Sequence, residues 1–374
     1  MRPLFFATIY RVSLCLLVIL PIRAGATQQS VVPDVGLKHD EHVLFFRSYG
    51  YRTDGNRWRL EIRGRIWRGS DAPDDAADAS PAEMFSGKLL SFFSHDVIGR
   101  HLRIDLSGLK DVHIDVQSGA TGEFEGSVIV SQEQIRSIQR PNQWSDGEVR
   151  FALAGSTGDP DSYGQIYLVT DSGISIVSDI DDTIRDSHVW NPSQAMVRGF
   201  GQFRPVPNMS GLYRYWATHS NARFHYVSGG PDWWEKATER GLDGCGFPSG
   251  SVDLREVSLS HFGTVHEWFG GNPCQYKIKK ISQILQAFPN RRFCLIGDAG
   301  EGDKRALRRL AERFSNVKWV FIRHLPVEDF VNATRYANDP ECVLACPTIP
   351  ASVDYKDFRL PSELNNELPR ISQR

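Results

Sequence analysis

Ile174-Ser175-Ile176-Val177-Ser178-Asp179-Ile180-Asp181-Asp182-Thr183-Ile184 is the stretch on which the reading of this chain turns. Residues 174–177 are an apolar, β-branched run of the length of a buried strand, opened by the turn residues Asp171-Ser172-Gly173 and closed by clustered acids. Carboxylates therefore stand at the carboxyl end of a core strand, where open α/β sheets bind ligands. Because side chains alternate along an extended chain, Asp179 and Asp181 are expected on one side of the backbone, with Ile180 buried between them. Two like charges at that spacing repel unless a cation or a shared proton compensates. The plainer alternatives are a solvated acidic turn or one edge of a calcium loop. An EF-hand loop begun at Asp179 would need glycine at its sixth position, and Ile184 stands there.

From residue 164 onward short apolar runs recur at 166–169, 174–177, 224–227, 293–296 and 317–322, with helical patterns between several of them, as in 278–288 and 304–314. Strands alternating with helices give a parallel sheet with helices on its faces, so residues 164–348 are expected to form an α/β domain. The polar, Pro-containing residues 349–374 are expected to be a peripheral tail. Residues 27–163 have a β pattern instead. Trp58, Leu60 and Ile62 alternate with Arg59, Glu61 and Arg63, and further alternation follows at Ile114 and Val116, at Phe124, Val128 and Val130, and at Val149, Phe151 and Leu153. Short strands separated by turns imply a small β-sandwich-like domain. Residues 71–81 read as an exposed acidic loop and 85–98 as a helix packed on one face.

The chain's 374 residues, with 32 Gly and 20 Pro, suit a globular protein of about two domains. Lys plus Arg number 43 against 45 Asp plus Glu, without a dense basic stripe, so nucleic acid is not an expected partner. Residues 1–26 read as a secretory signal: Arg2 and Arg11 flank the start, 12–20 is apolar but short for a bilayer, and Ala24-Gly25-Ala26 is a small-residue cleavage pattern. The protein is then exported, periplasmic or secreted, with an uncleaved amino-terminal membrane anchor as the alternative. Beyond Cys15 the cysteines are Cys245, Cys274, Cys294, Cys342 and Cys346, an odd number that leaves a free thiol. Cys294, inside the apolar run, is the expected buried one; Cys245 with Cys274 and Cys342 with Cys346 are candidate pairs.

Each strand of the second half delivers a reactive residue. Run 224–227 ends in Ser228-Gly229-Gly230, a hydroxyl and backbone amides suited to phosphate oxygens. Lys277 opens a helical segment and offers a positive charge to the same oxyanion. Run 293–296 ends in Gly297-Asp298-Ala299-Gly300-Glu301-Gly302-Asp303, a second acidic, glycine-rich loop. Asp179 and Asp298 on adjacent strands would supply hard oxygen ligands for Mg2+, which also relieves the carboxylate repulsion.

This set resembles the four motifs of the haloacid dehalogenase-type phosphatases. Asp179-x-Asp181-x-Thr183 matches the first, Ser228 the second, Lys277 the third, and Gly297-Asp298 with Asp303 the fourth. The longer phrases, Ser178-Asp-Ile-Asp-Asp-Thr-Ile184, Tyr226-Val-Ser228 and Phe293-Cys-Leu-Ile-Gly-Asp298, resemble the App1-type phosphatidate phosphatases, which also carry an amino-terminal β domain. Two departures touch substrate contacts rather than the acids: Gly229-Gly230-Pro231-Asp232-Trp233-Trp234 stands where a more polar small pair and a single aromatic are expected, and Ala299 stands where serine is usual. The resemblance implies a haloacid dehalogenase-like, Rossmann-type parallel sheet, with Asp179 as nucleophile forming an aspartyl-phosphate. Asp181 would protonate the leaving alcohol and then activate water. Thr183, Ser228 and Lys277 complete the catalytic set, and Asp179, Asp181, Asp298 and Asp303 surround Mg2+.

About 45 residues separate Thr183 from Ser228 and about 50 separate Ser228 from Lys277, which leaves room for a minimal cap only. An open site suits a bulky or membrane-borne phosphomonoester such as phosphatidate, with membrane-surface contact. Trp190, Trp233, Trp234 and Trp268 are either interfacial residues or ordinary core aromatics. His188, His225, His261 and His266 are read as surface or core histidines, His188 being near enough to the first motif to meet substrate. The alternatives are a phosphatase for soluble phosphate esters and a catalytically inactive, surface-binding module.

Overall fold

The computed structural model describes residues 36–53, 55–68, 95–109, 111–138, 147–153, 163–188, 202–257, 273–300, 302–325 and 348–369. The proposed signal lies outside them, as do the acidic loop at 71–81, Trp190, Trp268, His261, His266, Cys342 and Cys346. Val35–Arg374 is one compact unit, which holds both sheets.

Alternating apolar residues build the first sheet from β1 (Glu41–Phe46), β2 (Ser48–Arg52), β3 (Arg57–Arg68), β4 (His95–Asp96), β5 (His101–Leu106), β6 (His113–Gln117), β7 (Glu123–Ser131), β8 (Glu148–Leu153) and β9 (Gly164–Val169), with helix α1 (Gln132–Ile138) after β7. The order is β1-β3-β2-β9-β8-β5-β6, and β4 and β7 pair with the other edge of β3. Trp58, Leu60, Ile62 and Ile66 of β3 share a core with Ile104 of β5, Ile114 of β6 and Phe124 of β7. The sheet therefore curls over itself, since residues remote in strand order meet inside it. Within the segment expected to be helical, His95–Asp96 instead pairs as a strand with Trp67 and Arg68; its residues 85–94 lie outside the described ones.

The second sheet comprises β10 (Ile174–Ser178), β11 (Arg223–Pro231), β12 (Gly250–Arg255), β13 (Arg292–Asp298), β14 (Val317–Arg323) and β15 (Asp354–Phe358), in the order β12-β11-β10-β13-β14-β15. Every pairing in it is parallel. Helices α2 (Met209–His219) and α3 (Glu235–Gly244) connect strands on one side of β10, and α4 (Pro273–Ala287) and α5 (Asp303–Arg313) follow. The alternation of β10 and β13 divides the core in two. Ile174, Ile176, Cys294 and Ile296 pack with Tyr213 and Trp216 of α2, whereas Val177, Phe293 and Leu295 pack with Ile281 of α4 and Leu307 of α5. Each fully buried aliphatic side chain of this kind contributes about 1.5–3 kcal/mol.

Two expected boundaries move. Gly164–Val169 pairs in parallel with β2 and antiparallel with β8, so it belongs to the first sheet, and the chain changes sheets in the turn at 170–173. Its hydrophobic run is the same for either sheet, and only long-range pairing decides. Asp354–Phe358, expected in a peripheral tail, is the edge strand beside β14, with Phe358 buried. Alternation there is masked by polar residues because an edge strand is half solvated. Cys294 is free and buried as expected, but Cys245 is also free, so the Cys245–Cys274 pairing does not form. Cys274 is disulfide-bonded to a partner outside the described residues.

The two sheets share an interface. The backbone N–H of Val252 donates to Arg47 O (3.1 Å), and Tyr49 of β2 lies 5.5 Å from both the His225 and Phe288 rings. His225 Nδ1 is 2.9 Å from Ser251 Oγ. Burial, then the Arg291 charge, pushes the imidazole down from 6.5 to about 3. The folded state thus favours the neutral ring. Its stabilisation is complete above pH 6.5 and is lost as pH falls from there toward about 3, a loss of roughly 4–5 kcal/mol over that window. His225→Gln is expected to flatten the dependence of urea-unfolding free energy on pH in this range; an unchanged slope would assign acid sensitivity to other groups.

Candidate active site

The order of the second sheet reverses at β10. Later strands are added on one side as β11 and β12, then on the other as β13, β14 and β15. Asp179 and Asp298 leave adjacent strands at this switch point, the position at which such sheets bind ligands. Asp179 N still donates to Ile296 O (2.9 Å), so the nucleophile candidate is pinned by the last rung of the ladder. The chain then turns, with Ile184 N and Arg185 N both donating to Ile180 O. Asp182 has a φ of 57°, and its Oδ1 accepts from the backbone N–H groups of Ser187 (3.1 Å) and His188 (2.7 Å). Arg323 donates to Asp182 O at 2.5 Å. Sequence reading assigned Asp182 no task; the structure makes it the anchor of the loop. Its signal was the acid doublet, since aspartate tolerates the left-handed region and bonds its own backbone.

Lys277 Nζ, reaching from α4, lies 2.6 Å from Asp179 Oδ1 and 2.5 Å from Asp303 Oδ1. Asp298 Oδ1 accepts from Gly300 N. Asp179, Asp298 and Asp303 each place one carboxylate oxygen within 4.8 Å of the others, and all three are buried. Among the described residues, neither Asp179 Oδ2 nor Asp303 Oδ2 has a hydrogen-bond partner. Three acids against one ammonium leave a buried negative excess. Burial first, and then the Asp303 and Asp181 charges, hold the Asp179 carboxyl well above the usual carboxylate range, with Lys277 opposing. Buried all-oxygen donors with unpartnered lone pairs fit a hard divalent cation.

Asp181 departs from the expected four-carboxylate metal set. Its Oδ2 accepts from Ser228 Oγ at 2.8 Å, and its Oδ1 stands 4.0 Å from Arg185 Nη1. The turn anchored by Asp182 aims this side chain at the serine loop rather than at the cluster. Ser228 Oγ in turn accepts from Gly230 N (2.9 Å), so serine, glycine amide and acid form one chain of hydrogen bonds. Thr183 is fully buried, and its hydroxyl has no hydrogen-bond partner among the described residues. His188 Nε2 pairs with Asp186 at 2.8 Å. Trp234 packs partly buried against the core beside the serine loop. A cleft of about 520 Å³ between the sheets is lined by Tyr49, Arg63, Asp253 and Lys280, and no acid of the cluster lines it.

Gly297 permits the cluster's closeness. A Cβ there would stand 2.5 Å from Asp303 Oδ2 and 2.8 Å from Asp303 Cβ. Gly297→Ala is therefore expected to push Asp303 away from Lys277 and to weaken divalent-cation binding about tenfold or more, read by calorimetric Mg2+ titration. Unchanged affinity would remove Asp303 from the ligand set.

Residues 174–324 match the family model of the phosphatidate phosphatase APP1 catalytic domain. Over 160 residues, 41% of this chain and 26% of the relative, the sequence is 29% identical to phosphatidate phosphatase APP1 of Saccharomyces cerevisiae. The chain thus spans about a quarter of the length of that relative. A solved structure titled for a carbohydrate esterase active site is 7% identical, with a TM-score of 0.21 over 75% of this chain and 87% of its own; a likeness that low carries no argument. From Ile174 to His324, the segment that contains every acid of the cluster, the chain matches the catalytic domain of the App1-type phosphatidate phosphatases.

Proposed function

We propose that this chain is a Mg2+-dependent phosphomonoesterase of the haloacid dehalogenase type, acting on phosphatidate or a related phospholipid. The observation that carries the reading is the Lys277 ammonium bridging Asp179 and Asp303, with Asp298 alongside and Asp181 on Ser228, all at the strand-order reversal. The similarity of residues 174–324 to the APP1 catalytic domain supports the lipid substrate.

Asp179, Asp298 and Asp303 would hold the cation, which when bound neutralises the phosphoryl oxygens and keeps Asp179 ionised. Asp179 attacks phosphorus in line, forming the aspartyl-phosphate as the ester oxygen leaves. Asp181, two residues on, delivers a proton to that oxygen and then takes one from the water that releases phosphate. Ser228 Oγ, Gly230 N and Lys277 Nζ supply donors to the phosphoryl oxygens, and Lys277 also fixes the attacking carboxylate. In the resting state the Ser228 hydroxyl donates to Asp181, so substrate binding must redirect it.

Export is part of the proposal. It is supported by the disulfide at Cys274, which favours an oxidising compartment. Among the described residues no helix is long and apolar enough to cross a membrane. The test is phosphate release from phosphatidate vesicles and from p-nitrophenyl phosphate, with Mg2+ or EDTA, beside Asp181→Asn. Release from vesicles that requires Mg2+ and Asp181 supports the proposal. Turnover of the soluble ester alone moves the substrate to small phosphates, and turnover of neither favours a binding module.

A further inference from the structure

The serine loop is an irregularity in its own sheet. The register between β11 and β12 shifts between Val227 and Pro231, so the regular ladder skips Ser228, Gly229 and Gly230 and resumes where Pro231 meets Arg255. The loop nevertheless lines the candidate site: a Cβ on Gly230 would stand 3.2 Å from Ser228 Oγ and 3.7 Å from Asp181 Oδ2. Side chains help to place it. Arg255 Nε donates to Gly229 O at 3.0 Å on one side. On the other, Asp232, two residues past Gly230 and fully buried, is gripped from the first sheet, its Oδ1 lying 2.5 Å from Arg65 Nη1.

Arg65 is 1% exposed. It lies on the same face of β3 as Arg59, Glu61 and Arg63, the face that alternation reads as solvated, and is buried because the α/β half covers it. Its second nitrogen, Nη2, donates to Asp96 Oδ1 (2.5 Å) and to Val257 O (2.9 Å). Both terminal nitrogens of this buried guanidinium are paired, while Nε has no hydrogen-bond partner among the described residues, and its rigid fork fixes direction as well as distance, which an ammonium does not. The same polarity repeats along the interface. Arg63 meets Asp253 at 3.1 Å, and Arg47 meets Glu239 at 3.5 Å and Asp243 more closely. In each of these pairs the arginine comes from the first sheet and the acid from the catalytic half.

We infer that Arg65 is a positioning residue for the phosphoryl-binding loop, acting through Asp232, so that the amino-terminal β half is part of the catalytic apparatus and not a separable module. The inference rests on the phosphatase reading for its kinetic consequence, though not for its geometry. Displacing Asp232 moves Gly230 N and Ser228 Oγ away from Asp181. Misplacement on the scale of 1 Å is expected to cost about 10- to 100-fold in kcat.

The test compares Arg65→Gln, Arg65→Lys, Asp232→Asn and Asp96→Asn in the full chain, with p-nitrophenyl phosphate as substrate. Asp96→Asn breaks the same buried triad on the side away from the loop. Arg65→Gln and Asp232→Asn are expected to lower kcat about 10- to 100-fold with KM little changed, and Arg65→Lys to recover part of the loss. Asp96→Asn should lower the melting temperature comparably while leaving kcat within about twofold. Hydrogen exchange of the peptide spanning 228–234 should quicken in Arg65→Gln and Asp232→Asn, but not in Asp96→Asn.

Full kcat with unchanged exchange in Asp232→Asn overturns the inference, as does a kcat loss in Asp96→Asn equal to that in Asp232→Asn. If Arg65→Gln does not fold, Asp232→Asn, which keeps the side-chain volume, decides. If the unaltered chain turns over no phosphate ester, the phosphatase reading has failed, and the exchange comparison alone decides the positioning.

Discussion

Asp179→Asn is expected to lower phosphate release by about four orders of magnitude or more, and at the same time to make the metal-free protein more stable. The first effect follows from removing the proposed nucleophile, which Asp181 cannot replace because its carboxylate is turned to Ser228. The second follows from the electrostatics of the cluster. The folded-state pKa of Asp179 is raised by burial and by Asp303, so the fold favours the neutral acid, and ionising it at higher pH costs stability. That cost is full above the folded pKa, shrinks as pH falls from there, and is gone only below the ordinary value of 3.8. Asparagine never carries it. The variant's gain in melting temperature in EDTA should therefore be largest at alkaline pH and shrink toward acid. Retention of a tenth of the activity would remove Asp179 as nucleophile, and a lower melting temperature in EDTA at pH 8 would contradict the electrostatic argument.

Lys277→Met should act in the opposite direction on stability. Lys277 is 1% exposed and bridges two buried carboxylates. Taking away the cation of a buried pair typically costs about 3–5 kcal/mol, because uncompensated charge is left behind. Methionine keeps the length of the stem, so packing against α4 neighbours changes little. A divalent cation should substitute in part, and the rise in melting temperature on adding Mg2+ is expected to be larger in Lys277→Met than in the unaltered chain. Activity is expected to stay low even with Mg2+, since the proposed contact of the ammonium with the phosphoryl oxygens is gone. Equal melting temperatures in EDTA would show that the cluster is not held ionised in the resting protein. No differential Mg2+ effect would place the cation elsewhere.

The acid cluster was legible because its parts are local. A β-branched run followed by Asp179, and an apolar run followed by Gly297-Asp298, each announce a strand ending in a carboxylate, and the two strands do pair in parallel. Lys277 was legible as a helix-borne cation. The destination of Asp181 was not, because strand alternation stops at Ser178 and the turn anchored by Asp182 sets its direction. Strand β12, with Ser251 and Asp253 buried in it, was overlooked because these polar side chains meet His225 and Arg63, partners remote in the sequence. Arg65 looked like one more solvated residue on an alternating strand, since nothing in its neighbourhood in sequence reports the Asp232 that it meets.

By itself, the sequence determined the strand runs, the helical period of α4 and α5, the order of Asp179, Ser228, Lys277 and Asp298, and the buried free thiol of Cys294. These depend on short-range periodicity and on residue chemistry, which survive without knowledge of neighbours. The tertiary structure alone decided which sheet takes Gly164–Val169, that Asp354–Phe358 closes the second sheet, that the Asp181 side chain turns to Ser228 rather than to the carboxylate cluster, and that arginines of the first sheet hold acids of the second half. The physical reason is common to all four. Strand partners and buried ion pairs are set by contacts between residues far apart in the chain, where the cost of an unpaired buried group is settled only once the elements are packed.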